Sequence, residues 1–169
     1  MARKRREKID KTNAMRELER SGIAFEVCAY EPEEGVPDRD LGLRIAKVLG
    51  ADPDSQFKTL VTQTPSGDHV VCCIPVAEEL DLKKAARAAG QKGLAMMHIR
   101  DLEAVCGYRR GECSPVGMKR QFPTLIDETA QLFDQIGVSG GKKGLCLTLA
   151  PEDLAHHTGA TFADIVADR

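Results

Sequence analysis

The sequence contains no tryptophan and only two tyrosines, and aromatic residues make up 4% of it. Proteins that bind single-stranded RNA without sequence preference stack bases on aromatic side chains, so this composition argues against such a surface. The net charge is −2 over 169 residues. A positive field of the whole protein is therefore excluded, and any contact with nucleic acid must come from local basic patches.

Metal-binding and redox motifs are also missing. Six cysteines are present, but none forms a Cys-x-x-Cys pair or fits the spacing of a zinc site. His156 and His157 are adjacent, so on a helix they point about 100° apart and cannot chelate one ion together. We expect no metal and no other cofactor, and a cysteine-based redox or metal protein is the weakest alternative.

Long apolar runs are absent as well. No segment approaches the ~18 apolar residues of a membrane span. The basic start is not followed by the apolar run of a signal peptide. We therefore expect a protein without membrane contact, located in the cytoplasm, with reduced thiols that are mostly small core residues.

The remaining pattern predicts one domain of mixed α+β structure. Residues 1–11 are strongly basic and lack apolar periodicity, which favours a flexible tail; an arm that touches RNA phosphate is the alternative. Residues 12–169 are predicted to form a single domain, which is long enough to bury a core. Helices and strands interleave without a regular βαβ rhythm, and this favours the α+β class.

Local signals predict where these elements lie. Capping residues and apolar spacing predict helices at 13–21, 38–49, 82–90 and 151–159. Runs rich in β-forming residues predict strands at 23–30, 57–63, 69–76, 123–127, 135–139 and 144–150. Shorter pieces are predicted as a strand at 93–97 and helical turns at 101–105, 128–133 and 162–168.

Two glycine-rich stretches contain the candidate functional residues. They are "GYRRGECSPVG" at 107–117, the first loop, and "SGGKKG" at 139–144, the second loop. The second loop lacks the spacing of a P-loop, but its glycines can bring backbone N–H groups close to a ligand. A tight turn between strands is an equally good reading.

Basic pairs lie in or beside both loops, at Arg109–Arg110, Lys119–Arg120 and Lys142–Lys143. If the two loops meet, these pairs form a cationic rim around one site. Solvated surface residues are the alternative.

Single polar residues give weaker signals. Lys58 lies inside the predicted strand "FKTLV", where it is either an exposed edge residue or an amine that points into a pocket. Cys113 is a conceivable nucleophile, but no histidine partner is evident, so a passive small residue is favoured.

The motifs, taken in order, resemble a known family. They are "YE" at 30–31, "FKTLV", "DLKKAARAAG", "GYRRGECSPVGMKR", "PTLID" and "VSGGKKGL". This ordered set resembles the YbaK/EbsC-type Cys-tRNA(Pro) deacylases, which are free-standing relatives of the editing domain inserted in some prolyl-tRNA synthetases. The likeness runs from about residue 12 to the end of the chain.

The resemblance implies a fold, a reaction and partners. The fold is one α+β domain with a mixed, barrel-like sheet and flanking helices. The reaction is trans-editing of Cys-tRNA(Pro), and possibly Cys-tRNA(Cys), in which the substrate's own thiol attacks its ester and leaves as a thiolactone. The partners are the 3′ acceptor end of an aminoacyl-tRNA and, in some members, prolyl-tRNA synthetase. An editor of Ala-tRNA(Pro) and a non-catalytic module that binds tRNA or a synthetase are the alternatives.

The resemblance also implies roles for residues. The residues expected in catalysis are Lys58, Gly111, Ser139 and Gly140. Those expected to bind the substrate are Tyr30, Thr59, Ser114, Pro115, Gly117, Gly141 and Cys146. The three basic pairs are expected at the tRNA entrance.

This sequence departs from the family pattern at two of its positions. Glu112 replaces a second glycine of the first loop, and Cys146 replaces an acid that follows the second loop in the well-known member. The first change places a carboxylate near the expected tRNA entrance. The second changes the group expected to position the substrate's amino group or thiol.

Overall fold

The computed structural model describes residues 9–168. The predicted basic tail falls mostly on residues 1–8, which lie outside the described residues.

Five α-helices form within the described residues, and their ends follow local signals. They are α1 Asn13–Arg20, α2 Asp38–Leu49, α3 Leu82–Ala88, α4 Ile99–Cys106 and α5 Pro151–Thr158. The Thr12 hydroxyl accepts a hydrogen bond from the Met15 N–H, and the Asp81 carboxylate accepts from the N–H groups of Lys83 and Lys84 in α3, as N-caps do. No helix in residues 9–168 is long and apolar enough to cross a membrane.

Eight strands form two sheets among the described residues. The strands are β1 Glu26–Ala29, β2 Phe57–Gln63, β3 His69–Pro75, β4 Ala95–Met96, β5 Thr124–Asp127, β6 Ile136–Ser139, β7 Leu145–Leu149 and β8 Thr161–Ala163. One sheet has the order β4-β2-β3-β5-β8, and its strands β2 and β3, both predicted, form an antiparallel hairpin. The other has the order β1-β7-β6 and is antiparallel.

An isolated β-bridge joins the two sheets. Gln56, just before β2, makes an isolated parallel bridge to Gly137 in β6. The larger core cluster contains fully buried Leu18 of α1, Ile126 of β5, Leu147 of β7 and Leu154 of α5. A second cluster, with Ile74 of β3 and Ala85 of α3, forms a separate part of the core. The mixed α+β architecture is as predicted.

Two details differ from the predictions. The strands of residues 9–168 form two open sheets and no closed barrel. The prediction of a helical turn at 162–168 is wrong. Residues Thr161–Ala163 form β8, which is parallel to β5. The apolar spacing of 162–168 is typical of a helix. The first of these residues, Phe162 and Ala163, instead pair with Ile126 and Asp127 at the edge of β5. The Ile165 N–H also donates to the buried Asp127 carboxylate.

Candidate active site where the two sheets meet

A cavity of about 390 Å³ opens beside the Gln56–Gly137 bridge. It is lined by the start of β2, the end of β6, the start of β7, helices α2 and α4, and the first loop. This volume lies in the range of small-molecule sites, about 300–1,000 Å³. The predicted site residues that line it are Tyr30, Lys58, Thr59, Arg110, Gly111, Ser139 and Cys146.

The two glycine-rich loops are in contact, as the cationic-rim hypothesis requires. The Ser139 hydroxyl of the second loop donates a hydrogen bond to the Glu112 carbonyl of the first, with 2.9 Å between the oxygens. The same hydroxyl accepts from the Gly141 N–H at 3.2 Å. Ser139 therefore bridges the loops, and its only hydroxyl proton is used in that contact.

Tyr108 fills the space behind these loops. Its hydroxyl donates to the Val116 carbonyl at 2.5 Å, and its ring is buried. A Cβ on Gly117 would lie 2.6 Å from the Tyr108 hydroxyl, and one on Gly141 would lie 3.0 Å from its ring. Both glycines also have φ between 80 and 88°, which side chains rarely adopt. Glycine at these positions lets the loops close around the tyrosine.

Gly111 lies at the tip of the first loop. The Glu112 N–H donates to the Arg109 carbonyl at 3.0 Å and closes a four-residue turn with Gly111 in it. Gly111 has φ 80°, as the third residue of a type II turn requires. Its N–H is not used by the turn, and it donates to no other group of residues 9–168. A backbone donor at the cavity is therefore available.

The second loop differs from the prediction in this respect. The Gly140 N–H donates to the Leu145 carbonyl at 2.9 Å, and the Gly141 N–H donates to Ser139. Gly140 is buried, and its carbonyl accepts from the Thr12 hydroxyl at 2.7 Å. Because both N–H groups are already paired, neither is available for a substrate oxyanion. Gly140 supports the turn and does not line the cavity.

Four predicted substrate contacts lie at a distance from the cavity. The Ser114 hydroxyl is buried and accepts from the Val116 N–H, which closes a local turn around Pro115. Pro115 and Gly117 line a separate cleft of about 80 Å³, and Gly141 packs on Tyr108. These residues shape the first and second loops from behind the cavity wall.

Lys58 is half-buried at the cavity, and burial lowers the pKa of its amine, against the opposing effect of Glu79 and Glu78. Tyr30 is also half-buried, and burial raises the pKa of its phenol. The Tyr30 N–H donates to the Gly144 carbonyl at 2.9 Å and joins the end of β1 to the second loop. The Thr59 hydroxyl lies 3.9 Å from the Cys73 sulfur.

Cavity-lining thiols are protonated and weakly nucleophilic. Burial raises the pKa of Cys146 to about 11. A hydrogen bond between the Cys106 and Cys113 thiols raises the pKa of Cys113 and lowers that of Cys106. Cys113 lines the cavity, whereas Cys106 is fully buried beside Tyr108. This environment favours the passive reading of Cys113.

No group of three metal-ligating side chains occurs in the described part of the chain.

The basic pairs divide into near and distant members. Arg110 lines the cavity, and the Lys143 side chain lies over Gly111, 3.7 Å from where a Cβ would be. Lys142 is an exposed neighbour in the second loop. Arg109 pairs with Glu103, and Lys119 covers Gly107. Arg120 stacks on Phe122 beside the smaller cleft, so it does not belong to a rim around the cavity.

Several cavity residues were not found from the sequence. Gln56 gave no motif, although it stands directly before "FKTLV". The other unpredicted residues are mainly apolar, and they come from α2 and from the region of β4 and α4: Leu41, Ile45, Met96, Met97, Ile99 and Leu102. The helical spacing of Leu41 and Ile45 indicated only a buried face. The half-exposure of Met96 and Ile99, which could have marked a site, is visible only in the structure.

A comparison with known families identifies the domain. The profile of the aminoacyl-tRNA editing domain family matches residues 43–156, more than half of the chain. The chain belongs to this family. The matched range includes Lys58, both glycine-rich loops and Cys146, but not Tyr30.

Individual relatives agree with this assignment. The chain is 44% identical over 165 residues to an Enterococcus faecalis (strain ATCC 700802 / V583) protein designated Cys-tRNA(Pro)/Cys-tRNA(Cys) deacylase EbsC, covering 98% of each chain. A solved structure described as a trans-editing enzyme for prolyl tRNA synthetase matches with TM-score 0.79 at 23% identity, covering 92% of this chain and 96% of that one. The structure of hypothetical protein APE2540 matches with TM-score 0.82 at 20% identity, covering 92% and 100%. These two structural likenesses establish the fold.

Proposed function

We propose that this protein is a trans-editing deacylase that clears mischarged Cys-tRNA(Pro), and Cys-tRNA(Cys) as a second substrate. The observation that carries the proposal is the 44% identity, over nearly the whole of both chains, to the EbsC deacylase. The cavity supports this proposal, because its volume suits an aminoacyl group and its lining residues suit the chemistry of the reaction.

The chemistry suits a substrate that brings its own nucleophile. Among the described residues that line the cavity there are the cations Lys58 and Arg110 and no carboxylate. Such a lining favours a thiolate over a thiol, and it favours the negative charge that develops on an ester oxygen. The cavity-lining protein thiols have raised pKa values, so they are poor competitors for the attack.

The proposed reaction is an intramolecular acyl transfer. The thiolate of the bound cysteinyl group attacks its own ester carbonyl carbon, and a carbon–sulfur bond forms. The bond between that carbon and the 3′-oxygen of the tRNA breaks, and a proton passes to this oxygen. The products are a thiolactone and tRNA with a free 3′-hydroxyl. The protein contributes a bent substrate geometry, which can supply roughly 7–11 kcal/mol of barrier reduction.

We infer that two groups stabilise the transition state. Gly111 lines the cavity with an N–H that its turn does not use, and the Lys58 amine belongs to the same lining. We assign both to the developing oxyanion. Ser139 has a positioning role, since its hydroxyl fixes the turn that presents Gly111.

The setting of the reaction follows from its substrate. Arg110, Lys142 and Lys143 lie at or near the cavity, where they can meet the phosphates of the acceptor end. A prolyl-tRNA synthetase that accepts cysteine by its size would be the source of the error, because a small pocket cannot reject a ligand of similar size. All six thiols are free, which fits a reducing cytoplasm where aminoacyl-tRNA is used.

The first test is single-turnover deacylation of tRNA(Pro) that carries cysteine, serine or alanine. We expect cysteine to be cleared about 100-fold faster than serine or more, because serine has the same shape but a far less acidic nucleophile. Equal rates for cysteine and serine would contradict attack by the substrate thiol and favour an activated water. Clearance of Ala-tRNA(Pro) alone would make the protein an editor of alanine. If no ester were cleared, with or without prolyl-tRNA synthetase, the protein would be a non-catalytic module that binds tRNA or the synthetase.

Variants locate the activity in the cavity. Lys58→Ala is expected to lower the rate about 100-fold, the usual effect of removing one transition-state donor. Cys113→Ser should stay within about twofold of the wild type, since we assign Cys113 no chemical role. Lys83→Ala, an exposed lysine on α3 away from the cavity, is the matched control. A large loss in Cys113→Ser would point to a protein nucleophile.

A further inference from the structure

Gln56 occupies a position that the proposed reaction has not yet explained. It lies at the junction of the two sheets, where its backbone bridges to Gly137 and its carbonyl accepts from the Val76 N–H at 2.8 Å. Its side chain is partly exposed and lines the cavity together with Lys58. The backbone of Gln56 is therefore fixed by strand pairing at the edge of the site.

The amide of Gln56 contacts three neighbours. The Cys146 thiol lies 3.6 Å from its Oε1, the nearer of two acceptors for the thiol proton, with the Leu147 carbonyl at 3.8 Å. The Gln56 Nε2 donates to the Ser55 hydroxyl at 3.4 Å. A Cβ on Gly137 would lie 2.1 Å from Oε1, so the amide rests directly on the glycine backbone. Burial keeps Cys146 protonated, which preserves it as a donor. Three neighbours thus fix a neutral polar group at the cavity.

The bound substrate needs an acceptor there. An aminoacyl ester has an amino group beside its carbonyl, and this group donates hydrogen bonds in both protonation states. The cavity lining within residues 9–168 contains no carboxylate. The Ser139 hydroxyl donates to the Glu112 carbonyl and accepts from the Gly141 N–H, so one lone pair is left on it, and the Thr59 hydroxyl lies 3.9 Å from the Cys73 sulfur. The Gln56 oxygen has two lone pairs, and the Cys146 thiol occupies only one.

We propose that Gln56 binds the α-amino group of the aminoacyl ester through its amide oxygen, with Cys146 and Gly137 as the residues that position that oxygen. This inference rests on the proposed function and adds a specificity-determining residue to it. Holding the amino group would fix the rotation about the bond between the α-carbon and the carbonyl. The side-chain thiol would then be directed towards its own ester.

The test compares two substrates that differ only in the amino group. Cysteinyl-tRNA(Pro) and 3-mercaptopropionyl-tRNA(Pro) share the thiol and the ester, but the second has no amine. We expect Gln56→Leu, which keeps the size but not the acceptor, to lower kcat/KM for the cysteinyl ester about tenfold, within the usual effect of one hydrogen bond to a charged group. Its kcat/KM for the mercaptopropionyl ester should change by less than about twofold.

Further variants separate binding from a merely structural role. Gly137→Ala displaces the amide, so it should produce the same selective loss. Cys146→Ala removes one positioning contact and should produce a smaller selective loss. Thermal unfolding identifies any variant that fails to fold, and Gln56→Glu, which keeps an acceptor, should retain the preference for the amine.

Each outcome is decisive. Equal losses on both esters in Gln56→Leu would mean a structural role and overturn the proposal, as would no loss on either. Loss of the preference for the amine in Tyr30→Phe, with Gln56→Leu unaffected, would assign the acceptor to Tyr30 instead. Wild-type protein that clears neither ester would overturn the proposed function, and this inference with it. If the wild type clears the cysteinyl ester and Gln56→Leu clears both esters at the wild-type rate, the role of Gln56 is refuted and the proposed function stands.

Discussion

The two glycine-rich loops look alike in sequence, yet they use their backbones in different ways. Each combines glycines with a basic pair, and each contributes to the wall of the cavity. The first loop presents Gly111 with an unpaired N–H, whereas in the second loop the Gly140 and Gly141 N–H groups are paired within the loop or to the strand that follows. One loop therefore offers a donor to a ligand, and the other holds it in place.

The contact that joins the loops explains this division. Ser139 of the second loop donates to the carbonyl of Glu112, the last residue of the turn that contains Gly111. Tyr108 fills the remaining space between the loops, under Gly117 and Gly141. A flexible glycine turn is thereby fixed without using the N–H of Gly111, which lines the cavity. Preorganised donors of this kind are what oxyanion stabilisation requires.

The largest expected effect separates Gly111 from another glycine with a similar positive φ. Gly111 and Gly67 both have φ between 80 and 89°, and Gly67 lies in the β2–β3 turn with no atoms near a Cβ. Alanine in this conformation costs about 1–2 kcal/mol, so both variants should lose similar stability. Gly111→Ala should also lower single-turnover deacylation about 30-fold or more, because the turn and its N–H shift.

Gly67→Ala is the control, and its folded fraction should deacylate at the wild-type rate. Denaturant unfolding measures the stability of both variants, and single-turnover kinetics measures the activity. If Gly111→Ala lost stability but kept the wild-type rate of deacylation, the first loop would have only a structural role, like the second. The difference between the loops would then disappear.

A smaller effect is expected at the bridge between the loops. Ser139→Ala removes the donor to Glu112 and the acceptor of the Gly141 N–H, so unfolding should become easier by about 1–3 kcal/mol. Activity should fall about three- to tenfold as the Gly111 turn loosens. Loss of all activity in a folded variant would contradict this, and would make Ser139 a direct participant in the chemistry.

Local signals accounted for much of the fold. The bounds of α2, Asp38–Leu49, and of β2, Phe57–Gln63, match the prediction because caps, apolar spacing and turn residues lie within those segments. β8 did not follow from such signals. Its pairing with β5 joins Leu125 to Thr161, and a pairing partner so distant along the chain leaves no mark on the local pattern.

The site was predictable only where its residues lie in local motifs. Motifs indicated Lys58 and the loop around Gly111, and the structure brings both to the cavity. Sequence showed that Gly140 could adopt unusual geometry, but not that its N–H is paired with Leu145. Gln56 was missed because its importance arises from Gly137 and Cys146, which are distant in sequence.

The smallest effect concerns the cations around the loops. Lys143 lies over Gly111, whereas Arg120 stacks on Phe122 beside the smaller cleft. If Lys143 contacts a phosphate of the single-stranded acceptor end, Lys143→Ala should raise KM about threefold with kcat unchanged. It should also reduce the slope of log affinity against log salt by about 0.7. Arg120→Ala, matched in charge, should change neither quantity, because its guanidinium faces an aromatic ring. Equal effects of the two variants would mean that tRNA is attracted by the surface as a whole, and that the second loop adds no local contact of its own.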